Sequence, residues 1–97
     1  MLNESLKQLG FGEKEIAVYL CVVEQGKLSA AAVSRITKIN RTTVYSVSKE
    51  LIKKGVMVED LGGTNRYYTA LPIEEIRELY KKEEAELEKK KAIIEDT

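Results

Sequence analysis

The chain has 97 residues, 43% of them hydrophobic and 33% charged, with one Pro and six Gly. This length supports one hydrophobic core plus an appendage, and the apolar content is too high for intrinsic disorder. Histidine is absent and Cys21 is the single cysteine. Histidine-activated nucleophiles, His-ligated zinc, a thiolate cluster within one chain and an internal disulfide are thereby excluded, and a reducing cytoplasm fits. With no apolar run of about 18 residues and no basic-then-apolar leader, the expectation is a cytoplasmic protein with no membrane contact and no cofactor.

Sixteen Lys and Arg balance sixteen Asp and Glu, but the balance is not local. Residues 27–66 carry eight basic and three acidic groups, whereas residues 1–26 and 72–97 are net acidic. A basic centre of this kind can hold a polyanion although the whole chain is neutral.

In chain order, Leu2, Leu6 and Leu9 recur at helical spacing and stop at Gly10-Phe11-Gly12, predicting a short opening helix. Residues 13–25 follow as a second helix, acidic in its first turn, with Gly26 just past its end. Ile16, Tyr19, Leu20 and Val23 form one apolar stripe, and Val18, Cys21 and Val22 make the other side apolar too. A helix apolar all round must be covered on both faces, so it is expected to be central, with its second face against the C-terminal helix or another subunit. Cys21 reads as small hydrophobic filler within it.

Ser29 is placed to cap a short helix over residues 30 to about 36, and Asn40 to cap a longer one over residues 41–54 that Gly55 ends. Two capped helices with a short joint read as helix-turn-helix. The period then changes to that of strands: Val56, Met57 and Val58, a reversal at Gly62-Gly63-Thr64-Asn65, and a return over residues 66–70. Tyr67 and Tyr68 are adjacent on this return, so they point to opposite faces, and packing is favoured over base stacking. After Pro72, residues 73 to about 95 form a long charged helix in which Ile73, Tyr80, Leu87 and Ile94 lie on one heptad seam. The second seam fails after Ile76, where Glu83 and Lys90 follow. The glutamates 83, 84, 86 and 88, interleaved with Lys81, Lys82, Lys89 and Lys90, read as a solvated helix surface rather than a metal site.

Helix, helix, turn, helix and hairpin in this order predict a mainly α fold with a small β-hairpin: a winged helix-turn-helix plus a long C-terminal helix. On the helix over residues 41–54, Val44, Val47, Ser48 and Leu51 cluster on one side, and Thr42, Ser46, Lys49 and Lys53 fall opposite. Hydroxyls near the N-terminus with lysines further along suit base edges first and phosphates after, in a major groove about 12 Å wide. Arg41 and Tyr45 flank that face where helix amides favour an anion. The competing reading, a merely solvated helix side, is weakened by the capped helix before it and the wing after it. Arg66 either reaches a phosphate or minor groove from the wing or simply solubilises a turn. Lys27, Arg35 and Lys38 could touch phosphates from the preceding helix, or be ordinary surface charges.

The stretches Leu6-Lys7-Gln8-Leu9-Gly10-Phe11, Glu15-Ile16-Ala17-Val18-Tyr19-Leu20, Ile39-Asn40-Arg41-Thr42-Thr43-Val44-Tyr45, Leu51-Ile52-Lys53-Lys54-Gly55-Val56 and Arg66-Tyr67-Tyr68 through Ala70-Leu71-Pro72 resemble the N-terminal DNA-binding domain of TrmB-like transcriptional regulators, which share the MarR-type architecture. The resemblance implies that Arg41, Thr42, Thr43, Tyr45 and Ser46 open the recognition helix and that Arg66 lies in the wing. It departs from the family at Asn40, where Pro is usual, and at Ser48, where a large aliphatic is usual.

Residues 1–71 are therefore expected to be a winged helix-turn-helix domain and residues 72–97 a dimerisation helix, with the Val18, Cys21, Val22 face as a second possible contact. The expected partner is double-stranded DNA, bound by a homodimer through Arg41, Thr42, Thr43, Tyr45, Ser46, Lys49, Lys53 and Arg66. The alternative is a winged-helix module that docks proteins without binding DNA. An enzyme is not expected, and neither is a small-molecule effector within this chain, which is expected to be a minimal regulator or part of a longer one.

Overall fold

A computed structural model describes residues 2–96, in the order α1 (Leu2–Gln8), α2 (Glu13–Gln25), β1 (Leu28–Ser29), α3 (Ala30–Thr37), α4 (Arg41–Lys53), β2 (Met57–Gly62), β3 (Asn65–Ala70) and α5 (Ile73–Glu95). The fold is mainly helical with a small three-stranded antiparallel sheet ordered β1-β3-β2. Leu6 and Phe11 close one end of the core. The side chain of Leu2, expected on the same stripe, and Thr97, counted in the expected tail, lie outside the described part.

α2 is the central element, packed by α1, α3, α4 and β3. Val18, Tyr19 and Val22 are wholly buried and Cys21 nearly so. The expectation that the second face of α2 awaits the C-terminal helix or another subunit is corrected. α3, α4 and the sheet cover it within the same chain, so Val18, Cys21 and Val22 are not open to a partner. Burial, then the nearby Glu24, pushes the Cys21 thiol above its ordinary value, which keeps it protonated and unreactive.

The wing is closed by a two-residue loop, because Gly62 pairs with Asn65 across Gly63 and Thr64. Gly63 has φ +65°, and Thr64 has no positive φ. A glycine at the first central position with left-handed φ is what a type II′ turn demands, and its twist matches that of the strands. β1 was not anticipated. It is two residues long and exists through pairing of Leu28 with Tyr68 and Ser29 with Tyr67, which anchors the start of α3 to the wing.

α5 is rooted at its base. The Leu71 amide donates to the Val56 carbonyl at 3.0 Å, the Tyr19 hydroxyl donates to the Leu71 carbonyl, and Ile76 is wholly buried. Beyond Tyr80 the helix leaves the domain, and every described residue from 81 to 96 is exposed. This projection gives the molecule its 53 Å long axis against 32 and 22 Å.

Glu15 joins α2 to the end of α4. Its carboxylate accepts from the Gly12 amide at 2.9 Å and pairs with the Lys54 ammonium at 2.8 Å, and that ammonium lies 4.7 Å from the Phe11 ring centre. Burial acts to raise the Glu15 pKa, but the Gly12 hydrogen bond and Lys54 outweigh it and leave it below its usual 4.5. A carboxylate depressed in the folded state adds stability above the unfolded-state pKa and loses it as pH falls through the folded value. Glu15→Gln should therefore cost about 1 kcal/mol at pH 7, and the difference from the unsubstituted protein should close as melts are taken from pH 5 downwards. A gap that persists at acid pH would refute this account.

Ser48 is wholly buried on α4, and its hydroxyl makes no good hydrogen bond although the Tyr68 phenol lies near. An unrepaid buried hydroxyl costs on the order of 1 kcal/mol or more. Ser48→Ala is expected to raise stability by about 1 kcal/mol, or about 4–8 °C in Tm. A fall in Tm would mean that the hydroxyl is bonded to Tyr68 in solution.

Candidate nucleic-acid interface

The joint between α3 and α4 is held by side chains competing for backbone groups. The Ser29 hydroxyl accepts from the Ala32 amide at 3.2 Å and the Asn40 side chain from the Thr42 amide at 2.9 Å, so both caps form as the sequence predicts. α3 runs one residue further than expected, and residues 38–40 make the joint, with Lys38 left-handed at φ +65°. The Ser34 hydroxyl donates to the Ile39 carbonyl at 2.6 Å, and the Ile39 amide donates to the Thr37 hydroxyl at 3.3 Å. These bonds fix the direction in which α4 leaves α3.

α4 ends at Lys53, with Lys54 as its cap and Gly55 following at φ +79°. Val44, Ser48 and Leu51 are buried and Val47 is half-buried, while Thr42, Ser46, Lys49 and Lys53 are exposed. Thr43 is half-buried. Neither Lys49 nor Lys53 has a carboxylate partner among the described residues.

Arg41, Tyr45 and Arg66 come together although 20 residues and a strand reversal separate the last two. The Arg41 guanidinium lies 5.9 Å and that of Arg66 5.5 Å from the Tyr45 ring centre. The Arg41 Nε donates to the Tyr45 hydroxyl at 3.2 Å. One ring thus places a cation from α4 and another from the wing, each by cation–π attraction.

Two clefts flank this ring. One, of about 350 Å³, lies between the starts of α3 and α4 and the wing tip, lined by Ala30, Ala31, Arg41, Thr64, Asn65 and Arg66 among others. The second, of about 560 Å³, runs between α4 and the wing, with Ser46, Lys49, Glu59, Arg66 and Tyr68 in its walls. Burial, then the Glu59 charge, holds the Tyr68 phenol above its ordinary pKa and therefore neutral. Tyr68 is buried, whereas Tyr67 sits half-buried on the opposite strand face, as strand alternation requires.

Two wing carboxylates were missed as functional groups. Glu59 pairs with Arg66 at 3.3 Å and Asp60 with Lys27 at 2.7 Å, and Lys27 also lies 5.4 Å from the Tyr67 ring centre. The Lys27 hydrogen bond and charge hold the Asp60 carboxyl below its ordinary range. Both pairs follow from the two-residue turn: it sets Glu59 opposite Tyr68, Asp60 opposite Tyr67 and Leu61 opposite Arg66, so Glu59 shares a face with Arg66, and Asp60 lies beside Tyr67 under Lys27.

A short helix, a joint, a second helix with one face exposed, and a hairpin lying beside it define a winged helix-turn-helix protein. A family profile described as the sugar-specific transcriptional regulator TrmB matches residues 6–74. The chain belongs to this family of DNA-binding winged-helix regulators. Among solved structures it is similar to TrmBL2, described as an archaeal chromatin protein with a novel mode of DNA binding, at TM-score 0.61 and 24% identity over 89% of this chain and 34% of that one. It is also similar to a transcriptional regulator, PA4135, at TM-score 0.62 and 21% identity over 90% of this chain and 65% of that one. The chain therefore spans about a third of the first and under two thirds of the second. Both likenesses show the fold. None of the curated proteins matches the chain significantly. No helix of the described residues is long and apolar enough to cross a membrane.

Glu59 and Asp60 occupy cations on opposite faces of the wing. Glu59→Gln together with Asp60→Asn should raise affinity for mixed-sequence duplex DNA by roughly three- to tenfold at low salt, measured by fluorescence anisotropy, and the gain should shrink as salt rises. Unchanged affinity would mean that Arg66 and Lys27 take no part in binding.

Proposed function

We propose that the chain is a cytoplasmic, sequence-specific, double-stranded DNA-binding transcriptional regulator that acts as a homodimer. In this reading the recognition helix over residues 41–54 lies in the major groove and the wing over residues 56–70 lies along the adjacent backbone or minor groove. The observation that carries the reading is the exposed side of α4: Thr42, Ser46, Lys49 and Lys53 lie open, with none of the described residues folded over them. Thr42, Thr43 and Ser46 read base edges, Thr43 from its half-buried position at the rim. Arg41, Tyr45, Lys49, Lys53 and Arg66 meet phosphates or line the groove. Residues 1–71 form the DNA-binding domain, and residues 72–97 supply the helix that pairs two copies. A single winged helix covers few base pairs, so two half-sites multiply specificity.

The test is selection from random duplex DNA, followed by affinity measurements across a salt series. The unsubstituted protein should enrich one motif, with affinity falling by several decades per decade of salt. Arg41→Ala should relax the motif and cost about 1–3 kcal/mol, whereas Lys53→Ala should weaken all sequences alike and lower the salt slope by about 1. No enrichment, with indifference to both substitutions, would overturn the assignment in favour of a protein-docking module.

A further inference from the structure

The projecting half of α5 continues an apolar stripe that the domain covers only at its root. Ile76 is wholly buried and Ile73 and Tyr80 are half-buried, yet Leu87 is 54% and Ile94 74% exposed on the same seam. Beside the root, an apolar groove of about 540 Å³ opens between α1 and α5, lined by Leu9, Ile73, Ile76, Tyr80 and Glu84 among others. The stripe and the groove are therefore an uncovered tip and an unfilled seat on one molecule.

The charges beside the seam select how a second copy can cover it. At 100° per residue, Glu83, Glu84, Lys90 and Lys91 all fall within about 60° of Leu87, whereas Glu86 and Glu88 turn about 100° away. If two α5 helices ran parallel and in register, Glu83 would lie beside the partner's Glu84 and Lys90 beside the partner's Lys91, like charge against like. Antiparallel about Leu87, the twofold keeps each residue on its own flank of the seam, so Glu83 lies beside the partner's Lys90 and Glu84 beside the partner's Lys91, and symmetry repeats both pairs. Tyr80, seven residues before Leu87, then comes level with the partner's Ile94, seven after it, beside the groove that Tyr80 helps to line. Glu83 and Lys90, which spoil the second seam of a parallel coil, become the groups that fix orientation.

We propose that two copies pair through antiparallel α5 helices with Leu87 on the twofold axis, Glu83 and Glu84 against the partner's Lys90 and Lys91 respectively, and the partner's Ile94 seated at the α1–α5 groove. The proposal rests on the homodimer reading and adds its orientation and register. It also sets a length: Ile76 lies eleven residues from Leu87, so the two domain roots stand about 33 Å apart along the helix pair, close to the half-site spacing of one duplex turn.

Disulfide trapping in the full chain, with Cys21→Ala as background, tests this without DNA. Tyr80→Cys and Ile94→Cys proteins, mixed and oxidised, should give a cross-linked dimer containing one of each. Each alone should give little, because equivalent positions lie about 21 Å apart along the pair. As a second measurement that leaves Tyr80 intact, Glu84→Lys should weaken the dimer seen by sedimentation at least tenfold, and adding Lys91→Glu should restore it, because only the antiparallel arrangement pairs these two positions. Self-cross-linking of either single variant, no restoration by the double exchange, or a monomeric unsubstituted protein would each overturn the proposal. DNA affinity of the unsubstituted protein is read separately: mixed cross-linking without DNA binding would sink the regulator reading and leave the helix pairing standing.

Discussion

The orientation of α4 is fixed by burial of one of its sides, and everything on its other side depends on that choice. Val44 and Leu51 lie fully inside, and exposing either would cost roughly 1.5–3 kcal/mol. The Asn40 cap holds the beginning of the helix, and the Lys54–Glu15 pair holds its end. With both ends pinned and one face immersed, the helix cannot roll, so Thr42, Ser46, Lys49 and Lys53 face outward as a consequence of packing. Tyr45 extends the constraint to the wing, since its ring locates Arg41 on one side and Arg66 on the other.

The neutral total charge conceals two arrangements of opposite kind. On α4, Lys49 and Lys53 stand without carboxylates among the described residues. On the wing, Glu59 and Asp60 already satisfy Arg66 and Lys27. Surface pairs of this type contribute little stability, with a median of about 0–1 kcal/mol, so they hold the cations in place without locking them. A phosphate approaching the wing would exchange one oxygen partner for another, whereas one approaching α4 would meet lysines still in water.

Much of the fold was legible because its determinants are local. Ser29 and Asn40 mark helix starts, Gly63 fixes a turn, and the heptad seam of α5 needs no partner to be seen. Elements made by tertiary contact were not legible. Leu28 and Ser29 show no strand pattern and become a strand only by pairing with β3. The two apolar faces of α2 identified it as central, but sequence could not say that α3 and α4 would cover the second one. At the site, periodicity separated the inward from the outward face of α4 correctly, while the meeting of Arg41, Tyr45 and Arg66 required the third dimension. The wing carboxylates are an intermediate case: once the turn is known to hold two residues, strand register gives their neighbours.

The wing has a further consequence beyond the duplex. β2 is an edge strand, with one side unpaired and with Val58 and Leu61 exposed, and bare edges of this kind invite strand addition and aggregation. Glu59 and Asp60 sit between those two side chains, so any second strand docking there would have to accept a pair of adjacent negative groups. The carboxylates that steady the basic residues would thus also disfavour such strand addition. An engineer who removed them to strengthen polyanion affinity would be trading solubility for grip.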